Sequence, residues 1–178
     1  MCLIILGLGS NLDALENFHR CLDALHERFG ELQVSRVFES EPVGVVPDSE
    51  AQENFHNMVV AFNSNASAAA LNAWSKRQEK SQGRLPKSAG ASRHPIDIDL
   101  LAVGELCGEF ASESGVMTLP SAEITVNAFV LRPLAELLPD ARHPQTGDTY
   151  AELWQRAHTG HNMADQRLWP VAFSWCHA

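Results

Sequence analysis

Residues 96–103 read IDIDLLAV. On an extended strand, side chains alternate between faces, so Asp97 and Asp99 project from one face while Ile96, Ile98 and Leu100 project from the other. The apolar set needs a core beneath it, and the run predicts a strand over 96–103 lying on a hydrophobic layer. Its two carboxylates stand about 7 Å apart along the strand and repel each other unless a cation lies between or beside them. Hard oxygen ligands on a rigid element suit magnesium, which usually takes one or two carboxylates plus substrate phosphates. A solvated strand face is the competing reading of the same alternation.

Immediately upstream, Lys76, Arg77, Lys80, Arg84, Lys87 and Arg93 place six of the thirteen basic residues within eighteen positions, with Glu79 the only acid among them. Basic residues thus lead directly into the paired aspartates. Phosphoryl transfer needs that combination: metal across phosphate oxygens, and side-chain cations on the charge that develops. A solvated helix end followed by a basic loop accounts equally for the cluster taken alone. The same stretch predicts a helix from Ala66 to about Gln82, then a flexible loop from Gly83 to Pro95.

Further toward the N-terminus, Cys2 to Leu8 is an apolar run ending in Gly7-Leu8-Gly9, read as a buried strand and a glycine turn. This turn is a weak candidate phosphate cradle, because the pattern is not G-x-G-x-x-G. Ser10 or Asn11 capping the next helix is the preferred local role. Leu15, Phe18, Leu22, Leu25 and Phe29 recur at helical spacing, closed by Gly30. Leu32, Val34, Val37 and Phe38 suggest a second strand with a register break. Residues 40–54 read as a loop, and Met58 to Phe62 as a third strand. Phe55 and Asn57 fall on one face of the approach to that strand, where an aromatic ring and a carboxamide can stack on a flat heterocycle and bond its edge. An ordinary core Phe and a strand-end Asn is the competing reading. His94 lies close in sequence to the aspartates. Beyond the 96–103 strand comes a less regular segment, then a stretch that becomes helical near Arg132, a short helix over TYAELWQRAH, and a tail without a clear signal.

The order strand, helix, strand, strand, helix, strand predicts an α+β fold. Its core is a ferredoxin-like βαββαβ unit with an antiparallel sheet, helices packed on the sheet, and a C-terminal extension. One domain over 1–178 accommodates it. The formal net charge of −9 argues against nucleic-acid binding. No run approaches membrane-span length. Cys2, Cys21, Cys107 and Cys176 form no C-x-x-C pair, so a zinc or dithiol site is not expected. The N-terminus lacks a basic leader and a cleavage site, and a cytoplasmic location is expected. Oligomeric state leaves no mark in the sequence.

Gly9-Ser10-Asn11-Leu12, Gln82-Gly83-Arg84, Ile96-Asp97-Ile98-Asp99-Leu100, the run Phe129-Val130-Leu131 with Pro133-Leu134-Ala135-Glu136, and His143-Pro144 occur in this order and spacing. Together, over about residues 3 to 157, they resemble the 6-hydroxymethyl-7,8-dihydropterin pyrophosphokinase family of folate biosynthesis. The resemblance implies an ATP-dependent transferase that passes pyrophosphate to the hydroxymethyl group of a dihydropterin and releases AMP. It implies two magnesium ions held by Asp97 and Asp99, and a pterin ring between Phe55 and Phe129 with its edge read by Asn57. Ser40 and Val43 would offer backbone groups to the pterin. Glu79 and Arg84 fall at positions on the ATP side.

Several positions depart from the family pattern. Residues 90–95 read Gly-Ala-Ser-Arg-His-Pro where the family has a pattern close to R-W-G-P-R-T. His94 replaces the arginine nearest the aspartates, Pro86 replaces a second arginine, Ser121 a phosphate-contacting histidine, and Asn127 another arginine. Arg93, Lys87 and Arg132 are candidate substitutes for the missing cations. The catalytic set is then Asp97, Asp99, Arg84 and His94, and the ATP set Glu79, Arg84, Lys87, Arg93, His94 and Ser121. Two readings follow: an active enzyme with an altered ATP loop, or a non-catalytic or weakly active pterin-binding paralogue with a degraded ATP site. A bare interaction domain would need neither Asp97 nor Phe55.

Overall fold

The first apolar run forms β1 (Cys2–Ser10), which lies between two neighbours of the sheet. The computed structural model describes residues 1–41, 53–85, 93–113, 115–159, 163 and 165–176. After β1 come α1 (Ala14–Phe29), β2 (Gln33–Val34), β3 (Val37–Ser40), β4 (Phe55–Ser64), α2 (Ala68–Ser81) and β5 (Asp97–Val103). The sheet order is β5-β1-β4-β3-β8, where β8 is Leu168–Val171 and β2 also pairs with β4. All named pairings are antiparallel. The first four strands of that order are the expected ferredoxin-like arrangement.

Local chemistry explains the elements. Helix α1 buries Phe18, Cys21, Leu22 and Leu25 at the predicted spacing and stops at Gly30, whose φ of 86° suits a residue without a Cβ. Helix α2 starts at Ser67, whose hydroxyl accepts from the Ala70 N–H at 3.2 Å. The expected register break lies at Ser35. Val34 faces Val60 in β2, whereas Phe38 faces Asn57 in β3, a slip of one residue. Ser35 bridges it: its N–H donates to the Val59 carbonyl at 2.9 Å, and its hydroxyl accepts from the Val59 N–H at 2.9 Å.

Both sheet faces are covered. Ile4, Leu6 and Leu8 of β1 join Phe18, Leu22 and Leu25 of α1 and Leu71 of α2 in one cluster. Ile5, Val59 and Leu101 point the opposite way, against Leu131, Leu134 and Tyr150. That second layer comes from α3 (Glu123–Val126), α4 (Ala128–Leu137) and α5 (Tyr150–Thr159). At one end of this face, β1 carries Gly7 and Gly9 instead of large side chains.

Three expectations need correction, and one stretch left without a reading gains one. The segment read as irregular is a hairpin, β6 (Gly108–Ser112) with β7 (Gly115–Leu119). Its strands are largely exposed and carry little apolar alternation, which hid them. Helix α4 begins at Ala128, not near Arg132, and keeps Pro133 inside it. A mid-helix proline removes one ladder bond, but the buried Ala128, Leu131, Leu134 and Ala135 hold the helix on the sheet. The tail, which carries no clear signal in the sequence, is ordered where it is described: β8 pairs with β3, Phe173 packs edge-on against Phe18 at 6.2 Å, and the Trp175 indole donates to Asp23 at 2.8 Å. Finally, neither Ser10 nor Asn11 caps α1, since Asp13 holds that position without a side-chain cap bond. No described helix is long and apolar enough to cross a membrane.

Candidate active site

Register brings the site together. Gly9 of β1 lies opposite Asn57 of β4 on one side and Asp97 of β5 on the other; Gly7 lies in the same way between Val59 and Asp99. Alternation puts these residues on one face, and Phe55 with them. Ile98 and Leu100 turn into the opposite core, at 1% and 8% exposure, so the predicted division of the IDIDLLAV strand holds. Above the glycines is a cavity of about 260 Å³. Its walls include Ser40, Phe55, Asn57, Asp97 and Asp99 from the sheet, and Glu123, Asn127 and Phe129 from α3, α4 and the residue between them. Six sites separated by up to 89 positions in sequence (Ser40, Phe55, Asn57, Asp97, Asp99 and Phe129) therefore share one space.

Two residues hold the aspartate strand from its open edge. The Glu79 carboxylate accepts from the Ile98 N–H at 2.8 Å and from Lys76 Nζ at 2.7 Å. Arg84 donates to the Ile96 carbonyl at 2.9 Å and meets both Asp97 oxygens, at 3.0 and 3.1 Å. Edge backbone groups that no strand pairs are thus satisfied by side chains of and just after α2. Burial pushes the Glu79 carboxyl up, against the pull of Lys76. Burial, then the neighbouring Asp97 and Glu123 carboxylates, push the Asp99 carboxyl up to about 7.

That crowding of hard oxygen donors fits a divalent cation. Among the described residues, no three His, Cys, Asp or Glu side chains gather into a complete metal cage. An ion on Asp97 and Asp99 would complete its shell with water and ligand oxygens, which is magnesium's habit and not zinc's.

The other predicted residues are placed as follows. The Ser40 hydroxyl accepts from Asn57 Nδ2 at 3.0 Å, both side chains being buried. His94 is fixed to the end of β1: its N–H donates to Asn11 Oδ1 at 2.6 Å, and its carbonyl accepts from the Asn11 N–H at 3.1 Å and the Ser10 hydroxyl at 3.2 Å. Its ring lies 6.0 Å from that of Phe55. Arg93 is exposed and paired with Glu53 at 2.9 Å. Ser121 does not line the cavity; its hydroxyl accepts from the Glu123 N–H at 3.3 Å at the start of α3. Arg132 pairs with Glu136 at 2.7 Å and lies over the Phe38 and Trp154 rings, so it does not replace a cavity arginine. Val43 and Lys87 lie outside the described residues, as do Pro86 and residues 90–92 of the altered loop. His143, part of the C-terminal motif, is buried in a turn and packs edge-on against Tyr150.

Sequence reasoning missed Glu123 as a wall residue and noted Asn127 only as a departure. It also read Gly7-x-Gly9 as a turn and possible phosphate cradle, whereas both glycines lie within the strand. No local signal announces these roles, because the wall is made by α3 folding back over β5.

A ferredoxin-like sheet with a cavity of aromatic, carboxamide and carboxylate groups on its second face defines an α+β domain with a candidate ligand site. The model of the 7,8-dihydro-6-hydroxymethylpterin-pyrophosphokinase (HPPK) family matches residues 5–139, and the chain belongs to that family. It is 31% identical over 170 residues to the mitochondrial folate synthesis bifunctional protein of Pisum sativum, covering 93% of this chain and 30% of that one. It is 33% identical to the folic acid synthesis protein fol1 of Schizosaccharomyces pombe, covering 79% of this chain and 18% of that one. The chain therefore spans less than a third of these two longer relatives. It is 32% identical to the 2-amino-4-hydroxy-6-hydroxymethyldihydropteridine pyrophosphokinase of Pseudomonas aeruginosa, covering 79% of this chain and 83% of that one. In fold it is similar to the HPPK-DHPS of Plasmodium falciparum solved with pteroate, with a TM-score of 0.68, 13% identity, and coverage of 90% of this chain and 44% of that one.

Proposed function

We propose that the chain transfers the β,γ-pyrophosphoryl group of ATP to the hydroxymethyl oxygen of 6-hydroxymethyl-7,8-dihydropterin. The single observation that carries this reading is the meeting, in one cavity, of Phe55, Phe129 and Asn57 with Asp97 and Asp99. Family membership supports the same chemistry. Phe55 and Phe129 present aromatic faces to a flat ring, and Asn57 presents a carboxamide to its polar edge. Asp97 and Asp99 would hold magnesium, two ions by the family resemblance, which offsets charge on phosphate oxygens when bound. The hydroxymethyl oxygen forms a bond to the β-phosphorus, the bridging oxygen leaves with AMP, and the hydroxyl proton is lost. Arg84 and Glu79 keep the aspartate strand in place, and Arg84 supplies the cation nearest the carboxylates.

Phe55→Ala, Phe129→Ala and Asn57→Ala should each weaken binding of the pterin about fivefold or more, since stacking and a buried hydrogen bond are each worth about 1 kcal/mol. Titration of intrinsic fluorescence with 6-hydroxymethylpterin measures it. Unchanged affinity in all three would put the ring elsewhere.

The second reading, a pterin-binding paralogue with little transfer, is favoured by one observation: among the described residues lining the cavity there is no Lys or Arg. His94 stands where the family's arginine would. His94→Arg should lower the KM for ATP several-fold and flatten the pH dependence of turnover, because a guanidinium stays charged where an imidazole does not. Arg93→Ala should change little, since Arg93 is held at the surface by Glu53. The opposite pattern would make Arg93 the substitute cation.

A further inference from the structure

Gly7 and Gly9 sit inside a strand hydrogen-bonded on both sides. Neither has a positive φ, so neither backbone requires glycine. Interior glycine weakens a strand and marks a bulge, a tight bend or the close approach of a ligand or another backbone; the register shift of β1 against β5 falls between Ile5 and Leu6, next to Gly7 and away from Gly9. Here both glycines lie at the bottom of the cavity.

The surroundings of Gly9 point to a ligand. A Cβ placed on Gly9 would lie 3.3 Å from Asn57 Oδ1. Asn57 is 7% exposed, and its Nδ2 is committed to the Ser40 hydroxyl at 3.0 Å. Its Oδ1 accepts from no described residue and borders the cavity. A nearly buried acceptor left open beside a missing side chain is a place prepared for a hydrogen-bearing edge. Gly7 differs, because its Cβ would meet the terminal Leu101 Cδ1 at 3.3 Å, the mobile end of a side chain.

We infer that Gly9 is a positioning residue: its missing side chain leaves Asn57 Oδ1 where it stands, so that a donor on the edge of a flat ring reaches that oxygen. The inference rests on the pterin reading above and names which ligands fit: planar heterocycles with an unsubstituted N–H or amino group at the inserted edge. An N-alkyl group at that edge brings no hydrogen to Asn57 Oδ1.

The test is calorimetric titration of 6-hydroxymethylpterin into the full chain and its variants, with melting temperature recorded for each. Gly9→Ala should weaken binding about tenfold or more, as one extra carbon in a tight pocket does. Gly7→Ala should stay within about threefold, because the Leu101 terminus can rotate away. In an Asn57→Ala background, Gly9→Ala should cost less than about threefold, since its obstacle is gone. That coupling separates a pocket effect from misfolding, which would weaken binding in either background. Equal binding by wild type and Gly9→Ala, or full additivity with Asn57→Ala, overturns the role of Gly9 and leaves the pterin reading standing. No binding by the wild type overturns both.

Discussion

Asp99→Asn is expected to abolish turnover and yet melt at a higher temperature than the wild type when both are held at pH 8 without divalent cation. The two effects have one cause. Asp99 is desolvated and faces Asp97 and Glu123, which together push its carboxyl up to about 7. In the unfolded chain it titrates near the ordinary aspartate value of about 3.9. Between these values the folded protein binds a proton that the unfolded chain does not, so stability falls as pH rises through that window. Above pH 7 the whole cost is present, and below about pH 4 it is gone. Asparagine removes the charge and should gain on the order of 2 kcal/mol at pH 8 and nothing at pH 4. Magnesium should raise the melting temperature of the wild type and not of the variant, because only the wild type keeps both ligands. Turnover by Asp99→Asn should fall about a thousandfold or more, as loss of a metal-binding carboxylate removes charge stabilisation from the transferring group. Near wild-type turnover, or no change in melting at pH 8, would contradict this assignment.

Arg84→Ala should lower turnover by about a hundredfold or more, the scale expected when a cation is taken from a phosphoryl-transfer site. It should also cost stability, about 2 kcal/mol, because Asp97 and the Ile96 carbonyl lose a common donor in a half-buried setting. Arg84→Lys should recover little of either. An ammonium is a point charge and cannot span the Ile96 carbonyl and both Asp97 oxygens, which the guanidinium reaches at 2.9, 3.0 and 3.1 Å. Steady-state rates and urea midpoints measure the two losses separately. A lysine variant with both restored would reduce Arg84 to a simple charge.

Much of the fold was legible because its main signals are local. The period-two pattern of IDIDLLAV needs no knowledge of its neighbours, and the α1 stripe ending at Gly30 is self-contained. The register slip at Ser35 was also visible, as a break in alternation between Val34 and Val37. What remained hidden depends on partners far along the chain. Strand β8 is ordered by pairing with β3, more than a hundred residues away. The C-terminal half of α2 looks solvated by composition, yet Ser75 and Glu79 are buried, and Glu79 serves the open edge of β5. Pro133 delayed the predicted start of α4, because tertiary burial overrode an unfavourable propensity.

The candidate site divides along the same line. Asp97 and Asp99 stand out from spacing alone. Phe55 and Asn57 share a face by alternation, but only the family resemblance favours a ring site over an ordinary core Phe and strand-end Asn; Phe129 acquires a role through the resemblance alone, and the cavity supplies the space the three share. Glu123 has no signal in its own stretch, since it becomes a wall only when α3 returns over the sheet. The altered loop is where local reasoning stopped, with His94 beside Phe55 and Arg93 turned to Glu53.

The most direct test of the pyrophosphokinase reading is the appearance of AMP. The chain is incubated with ATP, magnesium and 6-hydroxymethyl-7,8-dihydropterin, and nucleotides are separated over time. AMP should form in step with a pyrophosphorylated pterin, and only when all three are present. Tight binding of the pterin with no AMP above the level of the Asp97→Ala variant would contradict the account and leave a pterin-binding protein in its place.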